Sequence, residues 1–261
     1  MTTAPAGPAT TSTRGGAPTA PRQWKALIGL PVAVLVIGGV WAAWRATADL
    51  DDIEERALAW DQIGVRALEH LQITVISTLI VCLIAIPLGV LLTRPVMRRY
   101  AGAAVAVANA GQAAPAIGLL VLLAMWLGFG VQTAIIGLCA YAILPVLQNT
   151  ITGLRGIDPT LLEAARGMGM SRLATLVRIE LPMAVPIIMA GVRTALVLLV
   201  GTATLGTFID AGGLGQLITT GITLFRYPVL FSGALLVALL ALLVDWVGRV
   251  LETFLAPKGL R

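Results

Sequence analysis

Few residues in this 261-residue chain are equipped for chemistry, and their settings exclude more than they offer. His70 is the single histidine. No second histidine or acidic metal spacing stands beside it, so no metal site is expected, and the imidazole reads as packing at a membrane interface ahead of a long apolar run. Cys82 and Cys139 both fall inside apolar runs and read as small core residues, not as a disulfide framework. Asp49, Asp51, Asp52, Glu54 and Glu55 read as a solvated helical face. The sequence contains no G-x4-G-K-[ST] loop, so nothing in it can cradle ATP. No catalytic residue, cofactor or metal is expected. Arg193 and Asp245 stand apart, because each lies within an apolar run, where a charge is costly and is paired or faces a cavity. Either they form an ion pair that holds two helices together, or they serve a pathway or gate.

The elements that must position these groups are set by composition. The chain is 58% hydrophobic and only 12% charged, with a mean hydropathy of +0.92. Those values lie far outside the range of soluble domains and specify an all-α polytopic membrane protein. A net charge of +5 raises the question of nucleic acid. The basic residues, however, are scattered over short loops without interleaved aromatics, so nucleic acid is not an expected partner. Residues 1–23, rich in Thr, Ala, Pro and Gly, are expected to form a disordered tail. Apolar runs follow at 26–44, 71–93, 101–127, 131–149, 183–205 and 229–248. Each can cross a hydrocarbon core of roughly 30 Å, which takes about 20 helical residues. Six transmembrane helices are expected. The first run ends in Arg45-Ala46-Thr47-Ala48, similar to a cleavage site, but it exceeds the usual signal core of about 7–15 residues, so an uncleaved anchor is expected.

Positive charge orients the spans. With the amino terminus inside, thirteen of the eighteen Lys and Arg residues fall on the cytoplasmic side, while Arg45, Arg56, Arg66 and Arg226 fall outside. Both termini are therefore expected in the cytoplasm. Trp41, Trp44 and Trp60 suit the external membrane boundary. Pro87, Pro115, Pro145 and Pro186, with Gly89, Gly118, Gly137 and Gly191, allow either close helix packing or bending around a pathway.

One polar stretch interrupts the spans: EAARGMGMSRLATLVRIELP, Glu163 to Pro182. Gly169 can take a left-handed turn without a β-carbon penalty, ending one short helix and starting another. Leu173, Leu176 and Val177 share a face of the second helix by i, i+3, i+4 spacing, which suits a groove on a partner. Pro182 fits the first turn of the next membrane helix. Glu163, Ala164, Ala165, Gly169, Ile179, Leu181 and Pro182 fill the spacing E-A-A-x3-G-x9-I-x-L-P. This pattern resembles the cytoplasmic EAA loop of ABC importer permeases.

The resemblance covers roughly residues 68 to 245 and extends to Gln112-Ala113-Ala114-Pro115, Tyr141-Ala142-Ile143-Leu144-Pro145, Asn149-Thr150, Gly153-Leu154, Asp158-Pro159, Ala190-Gly191-Val192-Arg193-Thr194-Ala195 and Ala211-Gly212-Gly213-Leu214-Gly215. Together these are similar to the osmoprotectant subfamily, whose permeases import glycine betaine, choline, carnitine or proline betaine. Methionine permeases share the EAA loop and the GGLG segment, so import of methionine or another amino acid is the alternative. A stand-alone secondary transporter is a more distant one, since it should show coupling carboxylates or an internal repeat. Asp210 departs from the pattern, where a small residue is usual.

The resemblance implies a type I importer fold with an anchor and external segment at 24–70, a permease core at 71–250 containing a coupling loop at 150–182, and a cytoplasmic tail at 251–261. Glu163, Ala164, Ala165, Gly169, Leu173, Leu176 and Val177 would meet the ATPase, with Glu163 as a helix-start carboxylate. Gly212, Gly213, Leu214 and Gly215 would form an external gate or docking surface, or else a turn that merely caps two helices. The implied partners are P-loop ATPase subunits carrying ATP and Mg, a second permease (identical or paralogous), an extracytoplasmic substrate-binding protein that holds the high-affinity aromatic cage, and the lipid bilayer. The implied location is the bacterial plasma (inner) membrane.

Overall fold

The computed structural model describes residues 21–255, in which every regular element is a helix. The tail expected at 1–23 lies, up to residue 20, outside the described residues, as does the carboxyl-terminal tail from residue 256. The helices are α1 (Pro21–Thr47), α2 (Asp52–Ala57), α3 (Trp60–Thr93), α4 (Ala101–Ala113), α5 (Ala116–Leu127), α6 (Val131–Arg155), α7 (Pro159–Gly167), α8 (Arg172–Thr175), α9 (Leu181–Ala203), α10 (Gly215–Thr223) and α11 (Tyr227–Leu255). Among the described residues five helical segments are long and apolar enough to cross a membrane, and α4 with α5 makes a sixth if that bent pair is one span.

α6 is the central helix, with α3 and α9 packed most heavily against it and α4 and α5 beside it. α11 closes on α9 and α10, and α1 lies against α11. Lipid tails are as apolar as leucine, so close packing must hold such a bundle, and small residues at the crossings permit it. A β-carbon built on Gly191 would come within 2.6 Å of the Pro145 carbonyl oxygen, and one on Gly89 within 2.6 Å of Thr150 Cγ2. Val81, Ala85, Val146, Leu147 and Leu199 fill the interior around α6. Two buried hydroxyls of α3 are satisfied within that helix: Thr74 Oγ1 donates to the His70 carbonyl and Thr78 Oγ1 to the Thr74 carbonyl, both at 2.8 Å.

Several expectations are corrected. The run 101–127 is not one straight helix: α4 ends before Ala114-Pro115 and α5 leaves at 94°. Pro115 has no amide hydrogen and forces Ala114 out of the helical region (φ −65°, ψ 143°), which terminates α4. α3 begins at Trp60, well ahead of the apolar run at 71, and at about 1.5 Å per residue it is roughly 50 Å long. His70 therefore sits inside a helix and is fully buried among its neighbours. The second short helix of the polar stretch is also not a separate element. Helix runs from Arg172 to Ile209, passing through a wide π-type turn at Leu176–Glu180. Pro182 lacks the N–H that an α-helical ladder would use there, and the wider turn accommodates it.

The acidic segment does more than face solvent. Asp51 caps α2 in a capping box with Glu54, which is buried, and Asp51 Oδ2 lies 2.8 Å from Arg226 Nη1 ahead of α11.

Candidate functional site

α9 sets the order of the residues singled out by sequence: the polar loop precedes it, Arg193 lies near its middle, and the glycine-rich turn follows it. In the loop, Asp158 caps α7 by accepting the Thr160 amide hydrogen at 2.9 Å, and Pro159 occupies the first turn, where no amide donor is needed. The Thr160 backbone bond, and after it the bond from the Thr160 side chain, hold the Asp158 carboxyl below the ordinary carboxylate range. Glu163 is not the helix-start carboxylate. α7 starts at Pro159, so Glu163 lies in its second turn and faces solvent.

α7 ends in a Schellman motif. The Met170 amide bonds the Ala165 carbonyl, the Gly169 amide bonds the Arg166 carbonyl, and Gly169 sits at φ +78°. Ser171 then caps α8 by accepting from the Ala174 amide. Ala165 is fully buried, Ala164 is exposed and Leu176 is half-buried, while Leu173 (69%) and Val177 (54%) stand exposed. Met168 (74% exposed) and Leu161 add apolar surface on the same loop. Neither is marked by the EAA spacing, and the exposed face becomes visible only once the turn at Gly169 is formed.

Arg193 Nε lies 3.1 Å from Asp245 Oδ1, and its Nη1 lies 2.9 Å from Glu252 Oε2. Asp245 Oδ2 also accepts from Arg249 Nε at 2.8 Å. Four charges thus neutralise one another across α9 and α11, the arrangement that makes charge tolerable in a bundle. Arg249 and Glu252 escape a reading based on apolar runs because they lie near the end of α11. Beside the pair opens a cavity of about 530 Å³ lined by Ala190, Arg193, Thr194, Val197, Leu198 and Asp245.

The turn after α9 is a short 3-10 helix (Thr204–Ile209) that ends at Asp210 in the left-handed region, φ 58° and ψ 36°. Aspartate is among the few side chains that tolerate this conformation, which accounts for its presence before Ala211-Gly212-Gly213. Gly212 (φ +82°) and Gly213 (φ +84°) continue the turn. The segment Ala211–Gly215, including Leu214, is buried in this conformation and so does not present itself as an open docking surface. It rests on α3: the Gly213 amide donates to Glu69 Oε2 at 2.9 Å, Glu69 pairs with Arg66 at 3.1 Å, and a β-carbon on Gly213 would lie 3.0 Å from His70 Nδ1. His70 Nε2 donates to the Val200 carbonyl at 2.9 Å. Glu69 and His70 are contacts that sequence reasoning missed, because a pairing across so many residues leaves no local pattern.

Trp41, Trp44 and Trp60 gather at this end of the molecule. The Trp41 and Trp60 rings meet edge to face at 5.7 Å, Arg45 lies over Trp60 at 4.9 Å, and Trp41 Nε1 donates to Ser232 Oγ at 2.9 Å.

Residues 85–256 match the family model described as the binding-protein-dependent transport system inner membrane component. The chain is 42% identical over 193 residues to the glycine betaine/carnitine/choline transport system permease protein OpuCB of Bacillus subtilis, covering 74% of this chain and 88% of that one. It is 34% identical to the osmoprotectant import permease protein OsmY of Salmonella typhimurium, covering 87% and 96% of the two chains. Among solved structures it is similar to an inward-facing conformation of the MetNI methionine ABC transporter, with a TM-score of 0.65, 26% identity, and coverage of 75% of this chain and 96% of that one.

Proposed function

The chain belongs to the family of binding-protein-dependent transport system inner membrane components, and from that membership we propose that it is the transmembrane permease subunit of an ATP-driven importer for osmoprotectants such as glycine betaine, choline, carnitine or proline betaine. It is a multi-pass membrane protein and a transport permease, not a catalytic enzyme. ATP and Mg are held by separate P-loop ATPase subunits, an extracytoplasmic binding protein delivers the cargo, and a second permease, identical or paralogous, completes the pathway.

The observation that carries this reading is the exposure of Leu173 and Val177 on a helix continuous with α9. Exposed apolar side chains at the end of the molecule bearing Arg94, Arg98, Arg155, Arg166 and Arg172 fit a protein partner on the cytoplasmic side. Closure of the ATPases on ATP displaces α8. α9 carries that displacement past Arg193 to the turn at Gly212–Gly215, and access alternates between the two sides. The choice of cargo rests on the relatives' names, and the cytoplasmic placement of both termini on the arginine count.

Growth tests the assignment. Expressed with its own ATPase and binding protein in cells lacking osmoprotectant uptake, the chain restores growth at high salt when glycine betaine or choline is supplied. Rescue of methionine uptake in its place transfers the protein to the amino-acid branch.

A further inference from the structure

Glu180, the last residue of the wide turn between α8 and α9, is only 8% exposed. A carboxylate so covered needs a cation fixed in place. Arg94 supplies it from the end of α3: its Nη1 donates to Oε1 at 3.2 Å and its Nη2 to Oε2 at 2.5 Å. Two parallel bonds of this kind fix orientation as well as distance. Arg94 is itself held, because its Nε donates back to the Val90 carbonyl at 3.2 Å. Its guanidinium also lies at the carboxyl end of α3, where the helix dipole favours a cation.

The junction that this pair spans is a weak place in the backbone. The Leu181 amide bonds the Leu176 carbonyl, a wider step than the α-helical one, and Pro182 offers no donor at all. A push on Leu173 and Val177 must cross this junction to reach α9. A loosened ladder bends under such a push unless something outside it shares the load.

We propose that Arg94 and Glu180 form a strut that makes α8, the first turn of α9 and the last turn of α3 one rigid body, so that displacement of the polar loop moves α3 together with α9. Both are positioning residues, touching neither ATP nor cargo. The strut rests on the coupling-loop reading above.

The test uses the assembled transporter in proteoliposomes, with ATP hydrolysis and uptake of labelled glycine betaine read separately. Arg94→Ala keeps hydrolysis but lowers uptake per ATP by about tenfold, and the charge exchange Arg94→Glu with Glu180→Arg recovers most of it. A cross-link checks the rigid body directly. In a background of Cys82→Ala and Cys139→Ala, Arg94→Cys with Glu180→Cys removes the ion pair and lowers uptake per ATP as Arg94→Ala does, and a cleavable linker spanning the ion-pair distance restores it. Uptake per ATP that rises with the linker and falls again on its cleavage supports the strut. Uptake that the linker leaves low or abolishes overturns it, since the two residues must then part during the cycle. Wild-type uptake per ATP in Arg94→Ala overturns it as well. Gly169→Val separates the two readings: if it uncouples while Arg94→Ala does not, only the strut fails, and if it leaves uptake intact, the coupling loop and the strut fail together.

Discussion

The Gly213 amide donates to Glu69 Oε2 across 2.9 Å and so fastens the turn after α9 to α3. If that turn is a gate, loosening its anchor changes how the two ends of the transporter communicate more than it changes folding. Glu69→Ala removes the acceptor and is expected to reduce the stimulation of ATP hydrolysis by liganded binding protein about fivefold or more. Glu69→Gln keeps an acceptor oxygen and retains most of it. Equal, wild-type stimulation in both variants makes the segment a helix-capping turn only.

Arg193 holds Asp245 and Glu252 at once. Arg193→Ala leaves Glu252 without the partner seen here, and because the network is partly solvated the cost should fall below that of a fully buried pair, at about 1–3 kcal/mol. Arg193→Lys cannot fork to both carboxylates and should be intermediate. Thermal unfolding of the purified protein in detergent reads the order wild type, lysine, alanine. An unchanged midpoint in Arg193→Ala removes the structural role and leaves the adjoining cavity as the reason for the charge.

The spans were legible because a helix crossing a bilayer must be long and apolar, and the turn at Gly169 because only a residue without a β-carbon reaches φ +78° cheaply. The break at Pro115 was less legible, since an unbroken apolar run hides a bend that only backbone geometry reveals. Glu69, Glu180 and Glu252 were not legible as contacts. Each reads locally as a charge on a helix face, and its partner lies far away in sequence. The buried state of His70 has the same origin, since Val200 and Gly213 come to it from another helix and its following turn.

Asp158 caps α7, and its carboxyl is held below the ordinary range by the Thr160 backbone bond first. A depressed folded pKa contributes stability above the unfolded value, which is lost as pH falls through the folded one. The cap is thus complete and insensitive to pH near neutrality. Asp158→Asn, a good capping residue, should leave ATPase binding unchanged there, and Asp158→Ala should weaken it. Co-purification of the ATPase across neutral pH checks both, and a pH-dependent loss in the wild type alone would contradict the assignment.

The arginine count predicts an orientation that labelling can test. Ser171→Cys and Glu55→Cys put thiols at exposed positions at the two ends of the molecule. An impermeant maleimide should label residue 55 from outside and residue 171 only after the membrane is opened. The reverse pattern inverts the topology.

Under the proposed function, this chain moves an osmoprotectant when, and only when, a partner hydrolyses ATP. The direct measurement is uptake of labelled glycine betaine and choline into proteoliposomes holding the permease with its ATPase, with binding protein outside and ATP inside. Uptake should require all three, stop with Leu173→Asp, and ignore an imposed ion gradient. Uptake driven by an ion gradient without ATP, or unaffected by Leu173→Asp, would rule out an ATP-coupled permease acting through this loop.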